Sequence, residues 1–228
     1  MNILVTAGPT REFLDPVRFL SNPATGYLGY EVARQAIWRG HRVTLISGPT
    51  FLSAPPKAKC VKVVSALEMR QAVRCHFPLN DALVMTAAVT DWRPARREKT
   101  KIKRKSGWKL TLVANPDILG EIKSKKRDDQ VIIGFALETE QLGQRGLKKL
   151  QTKGMDLVIV DTPDYFGVYP EKGPVMAITA DGEQNNLTGI NKPALASFIV
   201  DYLEAKGVGR LRCLSSLLPK YQKREKND

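Results

Sequence analysis

Apolar residues fall along this chain in short continuous runs separated by stretches of helical spacing. Residues 2–6 carry Ile3, Leu4 and Val5 in succession, the pattern of a strand covered on both faces and therefore of a parallel sheet. Comparable runs stand at 42–47 (RVTLIS), 61–64 (VKVV), 82–85 (ALVM), 131–135 (VIIGF) and 156–160 (DLVIV). Between the first two, Leu28, Val32, Ala33, Ala36 and Ile37 recur at helical steps up to Gly40, which predicts a helix over about 27–39. Similar patterns place helices at about 66–77, 116–126, 140–153 and 191–205. The alternation predicts an open, mostly parallel, Rossmann-like wound α/β sheet with right-handed crossovers and helices on both faces. One segment departs from it. KIKRKSGWKLTLV (101–113) alternates on either side of Ser106-Gly107, which predicts a β-hairpin projecting from the wound core.

Some twenty residues separate the first strand from the first helix, where roughly 2–6 are usual. Loops of that length at the ligand edge of a sheet carry function. In open α/β sheets the crevice lies outside the carboxyl ends of the strands, so the loops at 7–25, 48–56, 86–100 and 136–139 are expected to meet there. They hold AGPTR, SGPT, TAAVTDWRP and ALETE.

With 228 residues and 43% hydrophobic content, one sizeable core is expected, spanning 1–206, followed by a basic, mobile tail at 207–228. The chain shows neither a secretory leader nor a run of about 18 apolar residues, and its three cysteines, Cys60, Cys75 and Cys213, have no C-x-x-C pairing. A cytoplasmic protein with no membrane partner is expected. The formal charge of +13 is concentrated at 95–105, 123–127, 147–153 and 219–228, which suits polyanions. Nucleic acid is one candidate partner and a small phosphorylated substrate such as a nucleoside triphosphate is another; small anions, and no specific nucleic acid, are expected.

The first loop lacks G-x-G-x-x-G, because Gly8, Gly26 and Gly29 are split by a long insert, and this argues against a dinucleotide site. A different phosphate device remains, in which small Ala7 and Gly8 let backbone N–H groups approach an anion while Thr10 and Arg11 add donors. An ordinary tight turn is the plainer alternative. In TAAVTDWRP, Ala87 and Ala88 leave room for a flat ligand, and Asp91 is placed to hold a Mg²⁺ ion carried by a triphosphate; an Asp91–Arg93 turn pair is the competing account. His41 and His76 have no metal-ligand spacing.

ILVTAGPTREFLDPVRFLSNPATG, AAVTDWRP, KIKRK, NPDIL and GFALET, in that order and at these intervals, resemble bacterial phosphopantothenoylcysteine synthetase, the cysteine ligase of coenzyme A synthesis. The likeness covers roughly 2–205. It implies a homodimeric ligase in which 4'-phosphopantothenate attacks CTP to give an acyl cytidylate and pyrophosphate, after which the amine of L-cysteine displaces CMP. Mg²⁺ is implied as a cofactor and flavin is not. Carried over by motif, Asn22 donates to the acyl phosphate, Lys101 is the catalytic lysine, and Asp91 is the metal-linked aspartate. Gly8, Thr10, Ala87 and Ala88 line the nucleotide, with Phe135, Asn115, Pro116, Asp117 and Ile118 as its remaining wall; Lys149 (or Lys148) and Lys153 meet phosphate. On its residue pattern alone, Lys101 reads as a solvated hairpin charge.

Three departures stand out. Tyr27 occupies the place of a lysine in the family's SGKMG, Val160-Asp161 replaces its AN, and Gly8-Pro9-Thr10 replaces its G-G-T. The second exchanges an amide that can donate for a carboxylate that cannot, and the third removes a backbone donor. A non-catalytic nucleotide-binding relative is therefore one rival reading. A nucleic-acid-binding protein is another, which would place aromatic residues among the basic runs; only Trp92, Trp108 and Tyr221 lie near them.

Overall fold

The structure, a computed structural model, describes residues 1–104, 106–165, 173–207 and 213–221. Twelve strands and five α-helices occur among them. The strands are β1 (Asn2–Ala7), β2 (Arg11–Phe13), β3 (Phe19–Ser21), β4 (Arg42–Ser47), β5 (Lys59–Lys62), β6 (Ala82–Met85), β7 (Trp92–Pro94), β8 (Leu112–Ala114), β9 (Val131–Leu137), β10 (Leu157–Asp161), β11 (Val175–Thr179) and β12 (Gln184–Asn186). The helices are α1 (Tyr27–Trp38), α2 (Ala66–His76), α3 (Ile118–Lys123), α4 (Leu142–Lys153) and α5 (Lys192–Gly207). Among the described residues, no helix is long and apolar enough to cross a membrane.

Eight strands form the main sheet in the order β12-β11-β10-β9-β6-β1-β4-β5. From β5 to β10 all neighbours run parallel, and β11 and β12 are added antiparallel at one edge. The expected wound sheet is therefore present. Strand alternation sorts its core into two layers. Ile3, Val5, Leu45, Val84, Ile133 and Ile159 pack beneath α1 and α5, whereas Leu4, Ile46, Leu83, Ile132 and Val158 pack beneath α2, α3 and α4. The inner parallel strands are apolar on both faces because helices cover both, whereas the edge strand β5 (KCVK) exposes both its lysines.

β11 and β12 escaped the periodic reading, as did the short pairs β2–β3 and β7–β8. β2, β3, β7, β8 and β12 have three residues each, too short to establish a period. The projecting hairpin within 101–113 is not observed. Leu112–Ala114 pairs instead with Trp92–Pro94, Trp92 opposite Ala114, so the basic residues belong to an arm that leaves at Pro94 and returns at Leu112; Lys105 lies outside the described residues. The physical reason is that KIKRK offers only Ile102 as an apolar residue, too little to bury one face of a ladder. The arm lies along the opening hairpin: Glu98 N–H donates to Leu14 O at 2.8 Å, Ile102 N–H to Asp15 Oδ2 at 3.1 Å, and Arg97 stacks over Phe13 at 5.0 Å. Residues 213–221, expected in a mobile tail, pack on α5. Leu214 and Leu218 are buried, Tyr221 meets the edge of Phe198, and its hydroxyl donates to Asp201 at 2.6 Å. The remaining tail residues, 208–212 and 222–228, lie outside the described ones.

Buried Glu12 ties the opening hairpin to the rest. Its Oε1 accepts the Ala66 N–H at the start of α2 (2.7 Å) and the Thr90 hydroxyl (3.1 Å), an acidic group at a helix N-terminus where the exposed N–H dipoles favour it. The same terminus carries a capping box, in which Ser65 accepts from Glu68 N–H and Glu68 accepts from Val64 N–H. Glu12→Ala leaves the Ala66 N–H without its partner and the Thr90 hydroxyl with Thr10 as its acceptor, and should lower unfolding free energy by about 1–3 kcal/mol, with Glu12→Gln losing less; urea unfolding measures both.

Candidate active site

In the parallel part of the sheet the chain winds outward from β1 through β4 to β5, then returns to β6 on the other flank of β1. β1 and β6 thus mark a topological switch point, where the loops leaving neighbouring strands diverge and open a crevice. A cleft of about 590 Å³ lies there. Residues 22–29 form one wall, 86–89 with Asp91 a second, and Phe135, Leu137, Lys149, Asp161, Pro163, Tyr165 and Lys192 the remainder.

Two loops continue the β1–β6 ladder beyond the sheet and shape the mouth. Ala88 N–H donates to Gly8 O at 3.0 Å, Thr10 N–H to Ala88 O at 3.2 Å, and Thr90 N–H to Thr10 Oγ1 at 3.0 Å. Asn22 Nδ2 reaches Ala88 O and Val89 O at 3.3 and 3.4 Å, long contacts that hold the opening hairpin against the second loop.

α1 then points its N-terminus into the cleft, because two glycines let it come close. Gly26, at φ +81°, would carry a Cβ 3.0 Å from Gly8 Cα and N. At Gly29 a Cβ would lie 2.4 Å from Thr86 Oγ1, 2.7 Å from Ala7 Cβ and 3.0 Å from Thr6 O. Gly26 therefore roofs Gly8, whose amide sits beneath α1 and away from the cleft, and the first turn of α1 takes its place as the presenter of N–H groups.

Of the residues selected from sequence, Asn22, Ala87, Ala88, Asp91, Phe135 and Lys149 come together at the cleft. Gly8 and Thr10 are buried behind it, the Thr10 hydroxyl being bonded to that of Thr90 at 2.9 Å. Asn115 braces the second loop by donating to Thr90 O at 2.8 Å. Asp117 caps α3 through the Gly120 N–H (3.0 Å) and pairs with Lys153; burial raises its carboxyl, but Lys153 and the Gly120 N–H outweigh it and hold the group below its ordinary value. Ile118 is in the core, Pro116 is half-buried beside it, and Lys101 is exposed on the arm; none of the three lines the cleft.

Sequence reasoning missed Lys192, Tyr165 and Pro163, whereas Leu137 lies in a loop expected at the crevice. Lys192 is 5% exposed, with its ammonium 5.1 Å from the Tyr165 ring centroid. A lysine in an Asn-Lys-Pro helix start gives no sign that it turns inward. Its neighbours set the electrostatics of the cleft. Burial lowers the Lys149 ammonium from its ordinary value and Lys153 adds to this, against the pull of Glu138, Asp91 and Asp161. Burial pushes the Asp161 carboxyl up to about 7, although its own N–H, Lys192 and Lys149 pull it down. The result is an anion-seeking cleft with a helix N-terminus on one side and two lysines on the other.

A family described as the DNA/pantothenate metabolism flavoprotein C-terminal domain matches residues 1–206. The chain belongs to this family. It is 41% identical over 162 residues to the coenzyme A biosynthesis bifunctional protein CoaBC of Bacillus subtilis (strain 168), covering 70% of this chain and 40% of that protein. It is 39% identical over 215 residues to CoaBC of Mycolicibacterium smegmatis, covering 89% and 52%. The chain thus spans about half or less of these relatives' length. Among solved structures, the C-terminal domain of a CoaBC superposes with a TM-score of 0.77 at 35% identity, over 89% of this chain and 93% of that one. A DNA/pantothenate metabolism flavoprotein from Streptococcus pneumoniae gives 0.79 at 19% identity, covering 90% and 99%. At that identity it shows the fold alone.

The close seat of α1 is testable. Gly29→Ala should cost about 1–3 kcal/mol by overpacking, read by urea unfolding. Gly107→Ala, where an added Cβ meets nothing within 4 Å, should change stability by less than about 0.5 kcal/mol.

Proposed function

We propose that this member of the family joins 4'-phosphopantothenate to L-cysteine at the expense of CTP. The observation that carries the reading is the convergence, at one switch-point cleft, of Asn22, Ala87, Ala88, Asp91, Phe135 and Lys149, drawn from four separate stretches of sequence, in a chain 41% identical to the matching part of CoaBC. In the first step the phosphopantothenate carboxylate attacks the α-phosphorus of CTP and pyrophosphate leaves. In the second the amine of cysteine attacks the acyl carbonyl, CMP leaves, and the nitrogen loses its proton.

The chain supplies position and charge. Ala87 and Ala88, with no side-chain atom beyond a methyl, leave room at the wall for a flat base, and Phe135 closes one side. The first-turn N–H groups of α1, with Lys149 and Lys192, offset phosphate charge in a partly desolvated site, where such donors act most strongly. Asn22 gives up its long contacts to Ala88 and Val89 for the ligand. Lys101 arrives when the arm folds over the cleft and faces the oxygen on which charge develops in the second step. Asp91 is an exposed carboxylate at the rim, and no group of three or more metal-ligating side chains occurs among the described residues; this donor set fits Mg²⁺ that enters on phosphate oxygens, and not a metal caged by the protein. When bound, Mg²⁺ supplies neutralisation of triphosphate charge.

Incubation with CTP, phosphopantothenate and cysteine should release pyrophosphate and CMP together. Asn22→Ala should fold normally and lose turnover. Lys101→Gln should retain a pyrophosphate burst in a single turnover while CMP release slows about 10²–10³-fold. Equal slowing of both products, or of neither, would contradict the role given to Lys101.

The reading extends to a cytoplasmic homodimer. Val17, Phe19, Trp92, Leu112 and Val113, on or beside β2–β3 and β7–β8, expose between 36% and 57% of their surface, and such apolar exposure fits an interface. Sedimentation should show a dimer that Phe19→Lys with Trp92→Lys converts to a monomer.

A further inference from the structure

Asp161 is the last residue of β10 and lines the cleft. Strand alternation continues the face of Leu157 and Ile159, which looks toward α1 and α5, so its side chain lies on the side where Lys192 begins α5. Its backbone is fixed, because it stands in the ladder opposite Leu137 and Val175, and its carbonyl accepts Glu138 N–H at 2.9 Å. Only 9% of the residue is exposed. Its own backbone N–H donates to the carboxylate, and the carboxyl borders the cleft. A carboxyl nine-tenths buried at the wall of a ligand cleft is placed to meet a polar partner on the ligand.

The charges around it decide what that partner is. Lys192 at the start of α5 and Lys149 on α4 both act on it; Lys192 also lies over the Tyr165 ring, and Glu138, Asp91 and Lys153 act in turn on Lys149. Two ammonium groups beside the carboxyl disfavour a cationic ligand and favour an anionic one. An ionised carboxylate only accepts hydrogen bonds, and against a phosphate or carboxylate oxygen it repels; once protonated it donates.

We infer that Asp161 is a ligand-binding residue that acts in its protonated form, donating its carboxyl hydrogen to an anionic oxygen of the bound nucleotide. Nucleotide binding and proton uptake are then one event. Burial already pushes this carboxyl up to about 7, and a nearby anion raises it further, so near pH 7 binding draws roughly half a proton per site onto Asp161. Above that pH the proton must be supplied at binding, and affinity falls by up to about tenfold per pH unit. An amide at this position donates at every pH, which removes the dependence without removing the bond.

The inference rests on the proposed use of CTP, and calorimetry separates the two. CTP with Mg²⁺ is titrated into the full chain in two buffers of different ionisation enthalpy, at pH 6, 7 and 8.5, with Asp161→Asn as comparison. The substitution removes a group whose charge costs stability above its raised pKa, so the variant should melt no lower than the parent at pH 8.5. The difference in proton uptake between parent and variant cancels the titration of the nucleotide and the lysines. About half a proton more for the parent at pH 7, with affinity that declines toward pH 8.5 only in the parent, is the expected result. Equal uptake in both proteins overturns the inference, as does a folded variant that no longer binds. Net proton release assigned to Asp161 would mean that the ionised carboxylate meets a cation, and overturns it too. If neither CTP nor 4'-phosphopantothenate gives heat with the parent, the ligase reading fails and this inference with it.

Discussion

The cleft depends on the ladder between β1 and β6 continuing past the end of the sheet. Pro9 still bridges to Ala88, and backbone bonds from Ala88 and Thr10 carry the pairing on. Two loops that would otherwise diverge are thereby kept in register to Thr90, where a buried hydroxyl pair takes over. Glu12 extends the chain of contacts to α2 and Asn115 to the segment before α3. The polar residues of these loops are thus largely spent on one another, and the ligand is left with backbone, small side chains and whatever reaches in from neighbouring elements.

What reaches in is mainly positive. The first turn of α1, Lys149 and Lys192 approach from three elements on both faces of the sheet, so no single stretch of sequence displays the field that they make together. Much of the +13 charge lies elsewhere. Arg39 is spent on Asp201 and Glu204, Lys126 on Asp156, and Lys153 on Asp117. These pairs, most of them partly buried, remove cations from the count available to a ligand.

The arm shows the same division of labour. Asp15 is inaccessible to solvent and accepts the Val17, Arg18 and Ile102 N–H groups. Burial raises its carboxyl, yet these donors and the Arg18 guanidinium outweigh it, leaving the group below its ordinary value. The carboxylate stays charged as pH falls until that lowered value is reached, and its hold on Ile102 weakens only below it, while Glu98 and Arg97 keep their own contacts with the opening hairpin.

The sequence by itself determined the wound sheet. Six strand-like runs, most of them continuously apolar, admit little other than parallel strands between helices, and the order of those runs placed the ligand loops at one edge. It also determined family membership, which rests on motifs in register. Only the tertiary structure decided which candidates share the cleft. Gly8 and Thr10 were legible as anion-binding types, but the approach of Gly26 and the Thr90 hydroxyl turned them inward. Lys192 and Tyr165 were illegible, because burial of a lysine beside an aromatic ring is a contact between segments far apart in the chain. The same holds for β7 and β8, whose pairing across the arm outcompeted the local turn at Ser106-Gly107. Periodicity records how a segment meets the core as a whole; which neighbour it meets depends on where the other segments have already been placed.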